Sequence, residues 1–175
     1  MPSPAFVGRL NEQIGHEFAA SQQYVACAVH YDAETLPQLA GFFYAQALEE
    51  REHAMMMVRF LLDTDGEVAI PGVAAPVSRF DDVVAPIALA LEQEKRVTAQ
   101  INELAALARD ENDFSSEQFM QWFIKEQVEE VATMSDLLRV AQRSVADVME
   151  IEDYVAREHP AAEQPDATAP RAAGA

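Results

Sequence analysis

Glu50 and His53 are the residues whose types and spacing first suggest chemistry in this sequence. They stand three positions apart within residues 46–55, so a helix would place them on one face. That face is otherwise apolar, because Phe, Met and Leu side chains continue the same stripe on both sides. A carboxylate and an imidazole buried there are costly unless they are paired, and a metal ion is one suitable partner. Taken alone, His53 is also typical of a hydrogen-bonded core histidine.

An internal repeat supplies further candidate ligands. A shift of 77 residues aligns three pairs of residues, namely Glu17 with Glu94, Glu50 with Gln127, and His53 with Glu130. Each half of the chain thus offers one carboxylate and then a pair at positions i and i+3. Singly, Glu17 or Glu94 would be typical of a surface acid, but the joint pattern predicts a dinuclear metal site. Mixed carboxylate and imidazole ligands suit two ferrous ions that deliver electrons to one dioxygen.

Long helices are needed to position these residues. Gly is scarce and half of the residues are hydrophobic, and the abundant Ala, Leu, Glu and Gln favour helix, so the predicted fold class is all-α. Apolar periodicity predicts four long helices, at about residues 5–30, 37–62, 81–109 and 114–142. Asp113 is expected to cap the fourth helix. Ser144, with Asp147 three residues later, predicts the cap of a short fifth helix that ends near Arg157.

The connection after the second helix, residues 63–79, is unusually long. A helix of about 26 residues is roughly 40 Å long, and this connection can span that distance at roughly 3.3 Å per extended residue. The second and third helices can then run parallel, which predicts a four-helix bundle with one long crossover. We expect one domain over residues 1–157. Residues 158–175, rich in Ala, Pro and acidic side chains, predict a disordered tail.

The charge balance restricts the possible partners. The formal net charge is −18, from 30 acidic and 12 basic residues. Such a chain is not expected to bind nucleic acid or an anionic membrane, and it concentrates cations, although simple solubility explains the charge equally well. The sequence shows no long apolar run and no signal-like N-terminus, and Cys27 is the lone cysteine. We therefore expect a soluble cytoplasmic protein.

The combined pattern resembles the bacterial non-haem ferritins. Ferritin-like di-iron proteins are the known example of this ligand arrangement in a bundle, so the match is a resemblance and not an independent derivation. It extends from the first helix through the fifth. The residues that carry it are Glu17, Tyr24, Glu49, Glu50, His53, Glu94, Glu126, Gln127, Glu129 and Glu130.

The resemblance implies a ferroxidase centre that takes two iron ions per subunit. One iron would be held by Glu17, Glu50 and His53. The second would be held by Glu94 and Glu130, with Glu50 as the bridge between the two ions.

The resemblance also implies roles for neighbouring residues. Gln127 would donate a hydrogen bond or act as a weak ligand. Tyr24 would supply an electron or a hydrogen bond, unless it is an ordinary core tyrosine. The third iron site of this family would be formed by Glu49, Glu126 and Glu129, together with Glu130.

The implied function is iron storage. In this family a shell of 24 identical subunits oxidises Fe(II) with dioxygen or peroxide and deposits a ferric mineral inside. Glu117 falls in the region that lines the threefold channels, where Met120 replaces a second carboxylate of some relatives. A di-iron oxygenase or peroxidase on the same bundle is the alternative. The tail after Glu158 could also dock the shell to a partner, although a solvated tail is more typical.

Two departures separate this sequence from the haem-containing bacterioferritins. Those proteins repeat Glu-x-x-His in both halves, whereas the second copy here reads Gln127-x-x-Glu130. Their haem-ligating methionine falls at Arg51, whose guanidinium cannot be an axial ligand. We therefore expect no haem.

Overall fold

Five helices form all the regular structure in the part of the chain that the structure describes, residues 2–160 and 166–174 of a computed structural model. They are α1 (Pro4–Ala33), α2 (Pro37–Asp63), α3 (Ala85–Asp110), α4 (Phe114–Arg143) and α5 (Met149–Glu158). The predicted all-α class is confirmed, and so are the four long helices. None of the described helices is long and apolar enough to cross a membrane.

The crossover between α2 and α3 is held along α1 by polar side chains. Asn11 donates to the Glu67 carbonyl oxygen at 2.8 Å and accepts from the Ala69 N–H at 2.7 Å. Further along α1, Gln23 exchanges two hydrogen bonds of 2.8 Å with the backbone of Val77. The backbone of the crossover is not paired in a sheet or helix, so these side chains supply hydrogen bonds that its N–H and C=O groups need. They thereby fix the path of an otherwise irregular segment.

The end of the crossover lies near the C-terminal end of α1, where the Tyr31 hydroxyl donates to the Val83 carbonyl oxygen at 2.7 Å. The segment therefore returns along α1, and α2 and α3 run in the same direction, as predicted. α3 begins at Ala85 and not near residue 81. The reason is that Asp82 accepts hydrogen bonds from the N–H groups of Val84 and Ala85, at 2.9 and 2.8 Å, in a turn before the helix.

The start of α5 also differs from the prediction. Ser144 does not cap the helix, because its hydroxyl donates to Glu150 at 2.9 Å. Asp147 instead accepts from the Met149 N–H at 3.1 Å, so the helix begins at Met149. By contrast, Asp113 caps α4 as expected.

The core consists of two apolar clusters with a polar belt between them. The lower core includes Phe6, Leu10, Met57, Ile101 and Phe123, and the upper core includes Tyr24, Phe43, Ile87, Leu137 and Ile151. Each long helix contributes to both clusters. The candidate ligand of each helix lies at the change from one cluster to the other, as Glu17 does between Ile14 and Tyr24. The predicted ligands therefore meet at mid-height in the bundle.

The segment after α5 differs in part from the predicted disordered tail. Residues 161–165 lie outside the described part of the chain, but residues 166–174 lie against α2 and α4. Three short apolar side chains of this segment, Ala169, Ala172 and Ala173, pack on the lower core. The division of the chain at residue 157 stays a prediction.

Candidate metal centre

The predicted ligands of the dinuclear centre are all buried. Their exposed fractions are 1% for Glu17 and Glu50, 2% for His53, 0% for Glu94, 3% for Gln127 and 5% for Glu130. Four carboxyl groups and an imidazole in one apolar bundle are unfavourable unless they share protons, hydrogen bonds or cations.

Glu17, Glu50 and His53 converge on one point. One ligand atom from each lies within 4.8 Å of the others, and His53 Nδ1 lies 3.4 Å from Glu50 Oε2. Glu17 Oε2 and Glu50 Oε2 are buried and have no hydrogen-bond partner among the described residues. A metal ion would satisfy both oxygens, and oxygen and imidazole nitrogen donors suit a ferrous ion.

The second half of the predicted centre is organised around Glu94. The Tyr24 hydroxyl donates to Glu94 Oε1, and Gln127 Nε2 donates to Glu94 Oε2 at 3.4 Å. Thr98 orients Gln127 by donating to its carbonyl oxygen at 2.9 Å. Gln127 and Tyr24 thus act here as hydrogen-bond donors to a predicted ligand.

Burial sets the protonation of these groups. It raises the pKa of Glu50 well above its usual range, and the charges of Glu94 and Glu17 raise it further. Burial likewise raises the pKa of Glu130, with a contribution from Glu49, and that of Glu94 to about 7. Burial lowers the pKa of His53, which favours the neutral imidazole that can bind a metal. The protein without metal therefore holds protons that a cation would displace.

A second group of possible ligand atoms lies beside the first. Glu49, His53 and Glu126 each place one ligand atom within 4.8 Å of the others, and both carboxylates are half-buried. Glu129 is not part of this group: it is exposed, and its carboxylate lies 3.4 Å from Lys125 Nζ. Of the predicted third site, the structure brings together Glu49 and Glu126, with His53 as the neighbour.

The channel role of Glu117 stays a prediction, and within the single chain Glu117 and Met120 make the following contacts. Glu117 accepts hydrogen bonds from Arg109 Nε and Nη2, at 2.8 and 2.6 Å. Met120 is fully buried in the lower core.

Sequence reasoning missed several polar residues around the centre. Gln13 Nε2 donates to Glu17 Oε1 at 2.8 Å, and Gln46 Nε2 donates to Glu49 at 2.7 Å. Both glutamines lie three or four residues before an acid on a face that is otherwise apolar. A glutamine at that spacing on an apolar helix face is the sequence signal that could have identified them.

Together, the fold and this centre define a ferritin-like bundle with a buried carboxylate and histidine site. A family model described as a ferritin-like domain matches residues 7–144. The chain is 57% identical over 169 residues to ferritin BfrB of Mycolicibacterium smegmatis, covering 97% of this chain and 93% of that protein. It is 34% identical over 132 residues to the bacterial non-heme ferritin of Staphylococcus aureus, covering 75% and 80%.

Solved structures that are similar to this chain are also ferritins. An Archaeoglobus fulgidus ferritin engineered into a closed form matches with a TM-score of 0.85 at 30% identity, covering 90% of this chain and 98% of that one. The chain belongs to the ferritin family, and by homology its function is iron storage.

Proposed function

We propose that the chain oxidises Fe(II) to Fe(III) at the candidate centre and stores the product as ferric mineral inside a shell of 24 copies. The observation that carries the proposal is the buried Glu17, Glu50 and His53 triplet, in which one oxygen of each carboxylate accepts no hydrogen bond. Such a triplet does not help folding by itself, because burying unpaired carboxylates is unfavourable. A cation removes that penalty.

The ligands divide between the two ferrous ions, which are the substrate. Glu17, Glu50 and His53 bind the first ion, while Glu94 and Glu130 bind the second with Glu50 shared between them. Two ferrous ions release two electrons, which with two protons convert one dioxygen to hydrogen peroxide or one hydrogen peroxide to water. The ion without an imidazole ligand is held by oxygen atoms alone and exchanges more readily.

A third iron ion is proposed to bind at Glu49 and Glu126, beside the buried Glu130, with Glu129 available if its exposed side chain turns inward. Because this group adjoins His53, iron bound there would lie next to the dinuclear centre. It would serve as a step on the route between that centre and the mineral.

Exposed apolar side chains support the proposed shell, which we place in the cytoplasm. Several large apolar side chains are exposed on the single chain, among them Leu48, Phe114 and Val128, each about two-thirds exposed or more. In the proposed shell, neighbouring subunits would cover such side chains. The related solved structures are ferritins.

Native mass and iron-loading stoichiometry, measured on the same preparation, test the proposal. We expect a particle of several hundred kilodaltons that oxidises many more than two ferrous ions per subunit. His53→Ala and Glu130→Ala should assemble normally but oxidise iron far more slowly. Glu92→Ala, an exposed acid on α3, is the matched control. A stable dimer that oxidises only two ions per subunit would exclude storage, and unimpaired oxidation in both ligand variants would exclude the centre.

A further inference from the structure

The C-terminal segment 166–174 bridges α4 and α2 beside the candidate centre. At one end, Asp166 Oδ2 accepts a hydrogen bond from Trp122 Nε1 of α4 at 3.1 Å. At the other, the Ala173 N–H donates to the Met55 carbonyl oxygen of α2 at 3.0 Å. Its alanine side chains pack on the lower core between these two anchors. The segment is therefore fixed by specific contacts at both ends.

Both anchors lie next to His53. Met55 follows His53 by two residues in α2. The Trp122 ring meets the His53 ring edge to face, with centroids 5.6 Å apart and an interplanar angle of 74°. Phe123 packs against both rings, at 5.8 Å from His53 and 5.0 Å from Trp122. The indole thus lies between a tail carboxylate and a predicted iron ligand.

Asp166 is well prepared to accept the indole N–H. Its Oδ1 accepts from the Thr168 N–H at 2.8 Å and from the Thr168 hydroxyl at 2.7 Å, which fixes the carboxylate plane. These hydrogen bonds, with that of Trp122, lower the pKa of Asp166 to about 2. Lys125 Nζ lies 3.9 Å from Oδ2, but both side chains are exposed, so this ion pair contributes little.

We propose that segment 166–174 is a positioning element of the iron site, in which Asp166 fixes the indole of Trp122 and the indole holds the His53 imidazole with Nδ1 towards Glu50. The inference rests on the proposed role of His53 as an iron ligand. Neither Asp166 nor Trp122 belongs to the candidate ligand groups. A ligand whose rotamer is already held by packing binds without the cost of ordering it.

Trp122 is the only tryptophan of the chain, so its fluorescence reports the contact in the metal-free, full-length protein. Asp166→Ala removes the hydrogen-bond acceptor, and its emission should shift to longer wavelength as the indole becomes more hydrated. Arg171→Ala, an exposed residue of the same segment, is the matched control.

The second measurement is the initial rate of Fe(II) oxidation by the same variants, after native mass has shown equal assembly. Asp166→Ala should be slower by at least about threefold, because small displacements of a reacting group are expensive. Arg171→Ala should match the wild type.

The outcomes separate this inference from the proposed function. Unchanged emission in Asp166→Ala, or changed emission with a wild-type oxidation rate, would overturn the positioning role. Equal slowing in Arg171→Ala would also overturn it, because the effect would then follow the charge of the segment and not the hydrogen bond to Trp122. If His53→Ala oxidised iron like the wild type, the proposed function would fail first.

Discussion

At the scale of single residues, Gln13 determines which oxygen of Glu17 is available to a cation. Its amide donates to Glu17 Oε1, while Oε2 has no hydrogen-bond partner. His16 Nδ1, 3.4 Å from Gln13 Oε1, helps to orient the amide. Glu17 is thereby prepared to bind through one oxygen.

We predict that Gln13→Leu weakens ferrous binding at the first site by about 10-fold or more, the usual cost of losing a group that orients a ligand. The Leu side chain removes the donor while keeping the position filled. Anaerobic calorimetric titration with Fe(II) measures the affinity, and Gln142→Leu, an exposed glutamine at the end of α4, is the control. Equal affinities in the two variants would show that Gln13 only fills space.

Protonation of Glu94 makes the stability of the metal-free protein depend on pH. Burial raises its pKa from 4.5 to about 7, although the hydrogen bond from Tyr24 opposes the shift. Because the folded state binds the proton more tightly than the unfolded state, the stability that this group contributes is complete below about pH 4.5. It is lost as the pH rises through about 7.

The metal-free protein should therefore lose thermal stability between about pH 5 and about pH 8 more steeply than Glu94→Gln, which cannot ionise. At the upper end of that range, the variant should melt at a higher temperature than the wild type. Thermal unfolding in the presence of a chelator, at matched ionic strength, measures both slopes. Parallel slopes would mean that Glu94 does not titrate in this window.

At the scale of the helices, α5 supplies the N-terminal cap of α2. Leu36, the residue before α2, has no side chain that can cap the helix. Glu152 of α5 serves as the cap instead. Its two carboxylate oxygens accept from the N–H groups of Gln38 and Leu39, at 2.9 and 2.8 Å, and Glu152 is only 4% exposed. One carboxylate therefore satisfies the helix terminus, interacts favourably with its dipole and docks the fifth helix.

Glu152→Ala should destabilise the start of α2 by about 1–2 kcal/mol, the usual cost of a lost cap. Hydrogen exchange read by mass spectrometry should show faster exchange in the first turn of α2 and along α5. The neighbouring exposed acid, Asp153→Ala, should leave both segments protected as in the wild type. Faster exchange spread evenly over the bundle would contradict a local capping role.

The starts and ends of the helices differ in how well the sequence predicts them. Apolar periodicity and the Asp113 cap are local signals, so the long helices and the start of α4 were predictable. The start of α5 was not, because Ser144 bonds to Glu150 and not to the helix backbone. The docking of Glu152 on α2 joins residues far apart in the chain and leaves no local pattern.

At the centre, the repeat predicted which residues are buried together, since ligands on matched faces must meet. The repeat did not predict that the Glu129 side chain points to the surface, towards Lys125. The reason is that Glu126, Glu129 and Glu130 make this whole turn of α4 acidic. The contact of the alanine-rich tail with Trp122 was equally hidden, since composition alone favours disorder.

At the scale of the whole molecule, the polar belt lies between two helical hairpins. Glu17, Glu50 and His53 come from the α1–α2 hairpin, and Glu94 and Glu130 come from the α3–α4 hairpin. A pair of cations shared by these ligands would join the hairpins where the apolar core is interrupted. Metal binding should therefore stabilise the bundle as a whole.

Zn²⁺, which has the same charge as Fe(II) but no redox chemistry, should raise the melting temperature of the metal-free protein. A free concentration of about 100 times the dissociation constant adds about 2.7 kcal/mol, which corresponds to about 5–10 °C for a chain of this size. His53→Ala on one hairpin and Glu130→Ala on the other should each lose most of this increase, whereas Glu92→Ala should keep it. An increase that survives in Glu130→Ala but not in His53→Ala would mean that the cation binds to the first hairpin alone and does not join the two halves.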